Sequence, residues 1–93
     1  MECNRVENLE NGNFKCYFDT KEGSVSNQFM LDDLARCQRV GYAPKYYWRK
    51  VVEVGSDFIV LSNVTGEYES NSDTPSEGDI IVQMGNTTNT DRQ

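Results

Sequence analysis

Residues 46–62 limit the possible folds more than any other part of the chain. Tyr46, Trp48, Val52 and Val54 alternate with Tyr47, Arg49, Val51 and Glu53, with Lys50 interrupting the first set. This period of two is that of a long strand. Gly55-Ser56-Asp57 supplies a turn, and the nearly all-apolar residues 58–62 (FIVLS) return antiparallel. A chain of 93 residues that spends this many on one hairpin has room for one thin core. Composition points the same way: Val, Ile and Thr total 18 residues and aromatic residues add ten, whereas Ala and Leu together total 6.

Further strands follow from the same pattern. Phe14, Cys16 and Phe18 alternate with Lys15, Tyr17 and Asp19; residues 20–23 then form a turn ending at Gly23, and residues 25–29 are expected to return as the second arm of a hairpin. Residues 31–40 are ambiguous. Leu31, Leu34 and Ala35 have helical spacing, but a strand over residues 34–40, entered through the Asp32-Asp33 turn, places Ala35 and Cys37 on one face and Leu34, Arg36, Gln38 and Val40 on the other. Residues 31–38 (LDDLARCQ) and 77–84 (EGDIIVQM) share a turn, an Asp and a Gln near the strand end, which tilts the reading toward strand. Pro44 marks a connection, residues 63–77 a polar loop, and Gly78-Asp79 the turn into a buried strand over residues 80–84 that ends at Gly85. Residues 1–12 read as a flexible lead-in, residues 13–86 as one β domain, and residues 87–93 as an exposed tail cut from a longer chain. The expected fold is all-β: a small antiparallel barrel or roll of about six strands, with one short helical turn at most.

The absence of histidine removes the Ser-His and Cys-His nucleophile pairs and any His-ligated zinc. Cys3, Cys16 and Cys37 form no C-x-x-C pair and read as buried thiols of a reducing compartment. Asn71, Ser72, Asp73, Glu77 and Asp79 gather oxygens near the last loop but lack calcium-loop spacing. Asp32, Asp33 and Asp79 read as residues that close turns by bonding their own backbone, in preference to a catalytic carboxylate pair. The expectation is no enzyme, no cofactor and no metal. No apolar run is long enough to span a bilayer, so membrane insertion is not expected.

Charge is segregated. Residues 35–52 hold Arg36, Arg39, Lys45, Arg49 and Lys50 and no acid, while the other residues carry four bases and all fifteen acids, for a net charge of −6. Tyr46, Tyr47, Trp48 and Arg49, with Arg36 and Arg39, are the candidate contact surface, because Tyr, Trp and Arg dominate interface cores. Tyr46 and Trp48 are equally readable as core residues. A stacking platform for single-stranded nucleic acid or a glycan is the alternative. The net negative charge opposes nucleic acid. Gly23, Asp33, Gly55, Gly78, Asp79 and Gly85 are the candidate structural turns.

The succession CYFDTKEG (residues 16–23), VSNQF (25–29) and DLARCQ (33–38), followed by YYWRKVV (46–52), GSDFIVLS (55–62), residues 75–86 with GDIIVQMGN, and Asp91-Arg92-Gln93, resembles a domain of prophage-encoded tail and tail-fibre proteins of Bacteroides-type bacteria. The resemblance covers residues 13–93. One position departs from it: where that domain has Gly-Asp before Leu-Ala-Arg-Cys-Gln, this chain has Asp32-Asp33. The resemblance implies a non-catalytic structural or attachment module of a phage tail, made in the bacterial cytoplasm and carried in the virion. Its implied partners are other tail subunits, a host-surface receptor or further copies of itself. It implies no catalytic residues.

Overall fold

A computed structural model describes residues 1–41, 45–63 and 74–85. Six strands, β1 (Arg5–Asn8), β2 (Phe14–Tyr17), β3 (Leu34–Arg39), β4 (Lys45–Val54), β5 (Phe58–Leu61) and β6 (Ile80–Gly85), form one antiparallel sheet in the order β1-β2-β5-β4-β3-β6. The all-β expectation and the antiparallel small sheet hold.

One expected strand does not form and one observed strand, β1, was not expected. Residues 25–29 do not return as a strand: Val25–Gln28 is a single helical turn, α1, closed by the Phe29 N–H donating to the Val25 carbonyl at 3.0 Å. Alternation would have pointed Asn27 into the core between Val25 and Phe29. The helical turn brings Val25 and Phe29 to one face, both buried, and leaves Asn27 in solvent. Phe29 then stacks on Phe18 at 5.4 Å. A 3-10 turn over Thr20–Glu22 leads into it, N-capped by the Asp19 side chain and ended by Gly23.

Residues 1–12 are not a lead-in. β1 pairs with β2 through a turn at residues 9–13, and residues 1–3 cross to the opposite edge of the sheet. Met1 and Ile81 exchange two bonds of 2.8 Å, the Cys3 N–H donates to the Asp79 carbonyl at 2.8 Å, and the Gly78 N–H donates to the Cys3 carbonyl at 2.7 Å. The Asn4 N–H donates to the Tyr17 carbonyl at 2.7 Å, on the other edge. One continuous stretch is therefore bonded to both β6 and β2, and it draws the open sheet into a roll.

The ambiguous segment is strand β3, entered through Asp32 at φ 70. Asp is among the few non-glycine residues that tolerate this left-handed conformation. β3 pairs with both β4 and β6, so the two similar segments of the sequence lie side by side. In β4 the inward face is Tyr47, Arg49 and Val51, and Tyr46 and Trp48 point outward, which corrects the core reading of Tyr46 and Trp48. The partner strand explains the choice. Tyr47 lies opposite Cys37, and Arg49 opposite Ala35, so large side chains fill the room above small ones. A register shift between Val51 and Glu53 then lets Val51 and Val54, three apart, both reach the core.

The β4–β5 turn is tight. The Gly55 N–H donates to the Phe58 carbonyl at 2.8 Å, and a Cβ at position 55 would lie 2.1 Å from the Phe58 ring. That ring is held by Lys15, whose ammonium sits 4.0 Å from its centre, and by Tyr17 at 6.0 Å. Gly55→Ala is expected to displace the ring and cost about 1–3 kcal/mol, read as a lower urea midpoint at unchanged m-value.

Candidate docking surface

The predicted contact residues divide between two faces. Arg36, Tyr46 and Trp48 project from the outer face of β3 and β4; Tyr47 and Arg49 are buried; and Arg39 reaches along the roll to Asp79. On the outer face Arg36 lies opposite Trp48, and Gln38 opposite Tyr46, while on the other flank of β3 Arg36 faces Val82 and Gln38 faces Ile80. The Arg36 guanidinium stands 5.2 Å from the Tyr46 ring centre.

Reasoning from sequence missed how far this surface extends. The exposed large hydrophobic residues among those described are Met30 (65%), Leu31 (57%), Val40 (51%), Tyr46 (41%) and Val82 (39%). Every one lies along β3: Met30 and Leu31 at its entry, Val40 at its exit, Tyr46 and Val82 on the strands that flank it. The Met30 N–H donates at 2.9 Å to Oε1 of Gln83, a residue that lies opposite the buried Ala35. Nothing in the run IIVQM distinguishes Ile81, which is buried, from Val82, which is not; the β3 register does.

The inner face carries polar groups of a different kind. Asp79 is buried and receives hydrogen bonds from Arg39 Nε at 3.1 Å, from the Ser76 N–H at 3.0 Å and from the Tyr47 hydroxyl. The Asp79 N–H donates to the Ser76 carbonyl, so its side chain also closes the turn that Gly78, at φ 93, makes possible. Cys3, Cys16 and Cys37 are free thiols in the same core. Burial pushes the Cys37 thiol and the Tyr47 phenol up. The neighbouring Cys3 thiol, added to burial, pushes Cys16 up, while the Cys16 thiol beside it draws Cys3 down.

Asp33 and Asp79 are not brought together. Asp33 precedes β3 and accepts from Gln83 Nε2; Asp79 precedes β6 beside the opposite end of β3, a six-residue strand about 20 Å long. Of the turn positions, Gly85 pairs with Leu34. Of the candidate calcium oxygens, Asn71, Ser72 and Asp73 lie outside the described residues, Asp79 is engaged as above and Glu77 is exposed. Among the described residues no three metal-ligating side chains converge, and no helix is long and apolar enough to cross a membrane.

A second cation-aromatic cluster covers β1, β2 and β5. Arg5 lies 4.1 Å over the Tyr17 ring, Lys15 spans Tyr17 and Phe58, and the Tyr17 hydroxyl donates to Glu7 at 2.8 Å.

Comparison with protein-family models, with curated proteins and with solved structures returns no match. The likeness to prophage tail domains therefore rests on the sequence blocks quoted above.

Proposed function

We propose that this chain is a non-catalytic docking module of a prophage tail or tail-fibre protein, and that it meets another tail subunit or a host-surface receptor through the outer strip along β3. The observation that carries this reading is that Arg36, Tyr46, Trp48 and Val82 share the outer face of β4, β3 and β6, with Met30, Leu31 and Val40 exposed beside the ends of β3. Scattered single apolar residues are ordinary on a protein surface, whereas a contiguous set rimmed by polar groups marks a contact. Trp48, Tyr46 and Arg36 in its middle are the residue types that carry most interface energy. The phage setting comes from the resemblance of residues 13–93.

The test is co-production with the proteins encoded by neighbouring genes, followed by size exclusion with light scattering. The wild-type chain is expected to elute in a complex or as an oligomer, and the double variant Tyr46→Lys/Val82→Lys to lose at least tenfold in affinity, about 1.4 kcal/mol, with unchanged far-UV circular dichroism. Equal association by both proteins would remove the strip from the contact. The aromatic platform of Trp48, Tyr46 and Arg36 also favours a second reading, a ligand-binding surface for single-stranded nucleic acid or glycan. Saturable quenching of Trp48 by either in a monomeric protein would support that reading instead.

A further inference from the structure

We propose that β1 is a seam joining two copies of this chain, paired antiparallel about Val6 so that Arg5 of each copy faces Glu7 of the other. β1 is an edge of the sheet, with β2 on one side only. The Leu9 N–H donates to the Asn13 carbonyl at 2.9 Å, so these residues form a hydrogen-bonded pair that continues the β1–β2 ladder. Antiparallel ladders alternate. Glu7–Lys15 and Arg5–Tyr17 are therefore hydrogen-bonded pairs as well, and the N–H and C=O of Val6 and Asn8 turn away from β2. Among the described residues no hydrogen bond reaches these outward groups. At Asn4 the alternation breaks: its N–H also bonds the Tyr17 carbonyl, and residues 1–3 swing away to β6. Val6 is thus the centre of a short open edge of the kind that a second strand completes.

The side chains select that strand. Charged residues ordinarily blunt an edge, because identical strands set like against like. Here Arg5 and Glu7 are exposed, two apart on one face and opposite in sign, so the outcome depends on register. Parallel copies in register, and antiparallel copies centred on Arg5 or on Glu7, place a charge against its own kind. The antiparallel register centred on Val6 sets Arg5 against Glu7 twice, and in it the outward groups of Val6 meet those of their counterpart. Both charged side chains are already held: the Arg5 guanidinium lies 4.1 Å over the Tyr17 ring, and Glu7 accepts from the Tyr17 hydroxyl at 2.8 Å. Little side-chain freedom is left to lose on pairing. On the other face Val6, half-buried against the core, meets Val6 of the second copy and carries the apolar layer across the seam. The net charge of −6 repels a second copy at long range, but at about 0.15 M salt that repulsion is screened beyond roughly 8 Å, whereas Arg5 and Glu7 sum to zero where the strands touch. A four-residue edge covers little area, so the pairing is weak and concentration-dependent.

Sedimentation velocity of the folded chain at about 0.15 M salt is expected to show a monomer–dimer equilibrium with a Kd between roughly 10 μM and 1 mM. Arg5→Glu and Glu7→Arg each turn both cross-seam pairs into like-charge pairs, and each is expected to weaken association at least about tenfold with unchanged far-UV circular dichroism. An equimolar mixture of the two variants restores opposite charges at both positions. It is expected to associate within about threefold of wild type, as is the double variant Arg5→Glu/Glu7→Arg. A folding defect in either single variant would not be repaired by mixing, so the mixture isolates the seam. Tyr46→Lys/Val82→Lys, on the strip along β3, is expected to leave this equilibrium unchanged, so the seam and the strip stand or fall separately. A chain still monomeric at about 1 mM, single variants that associate as wild type does, or a mixture that stays monomeric would each overturn the proposal.

Discussion

Replacing Asp79 by alanine is expected to destabilise the fold by about 3 kcal/mol and to lower Tm by on the order of 15 °C. The carboxylate is buried and serves three donors at once: the Arg39 guanidinium, the Tyr47 hydroxyl and the Ser76 N–H. Tyr47 is itself fully buried, so its hydroxyl has no water to turn to when the acceptor is removed. Arg39 is different. Its side chain is one-third exposed and regains hydration, so the ion pair contributes less than the phenol bond and the turn closure. Asp79→Asn, which keeps an acceptor oxygen, is therefore expected to lose less than half as much as alanine. Thermal and urea unfolding of the two variants beside Tyr47→Phe check the ranking. If Asp79→Ala unfolds within about 0.5 kcal/mol of wild type, the turn and the roll do not depend on this residue.

Stability is also expected to collapse on the alkaline side. Cys16 and Cys37 keep their protons in the folded state far beyond the pH at which an unfolded thiol, with a pKa of about 8.5, loses its own. Above that pH the unfolded chain binds fewer protons than the native one, so folding weakens as pH rises; below it the contribution of both groups is intact. Each such proton costs roughly tenfold in the folding constant per pH unit, and the two together roughly a hundredfold. Cys3 has the opposite sign. The neighbouring Cys16 thiol favours its thiolate, so its contribution is present above the unfolded pKa and is lost as pH falls through the lowered folded value. Tyr47, raised by burial, steepens the loss from about pH 10 upward. Urea midpoints between neutral pH and about pH 10.5 measure the slope, and Cys37→Ala is expected to remove about half of it below the tyrosine range. A flat profile would mean that the thiols titrate alike in both states.

The β4–β5 hairpin was legible in the sequence because its alternation and its turn are both local. The facing of β4 was not. Tyr46 and Trp48 look as suitable for a core as Tyr47 and Arg49, and only the small Ala35 and Cys37 on the neighbouring strand decide between them. Residues 25–29 misled because Val25 and Phe29 satisfy both periods of two and of four; the polar Asn27 between them was the signal for the helical turn. β1 left little trace, since Arg5, Glu7 and Asn8 are exposed and Val6 alone packs against the core. Arg36, Tyr46 and Trp48 could be named from residue type, whereas Val82, Met30 and Leu31 could not. Exposure of an apolar side chain is set by what the register places beside it.

The manner in which the roll is fastened bears on how the chain acquires its shape. Met1 bonds to Ile81, a partner eighty positions away, and Cys3 to Gly78 and Asp79, just before β6. Among these six strands the segment made first is the last able to dock, because its partner strand is the last of the six to be made. The β2–β5, β4–β5 and β3–β4 pairings are all available earlier. Such long-range closure slows folding and leaves the edge at residues 1–3 unsheltered until β6 has been made. The nascent protein thus passes through an interval in which a neighbouring chain's β6 competes for the same N-terminal strand, and exchange of that strand between copies is the misassembly to which this topology is most susceptible.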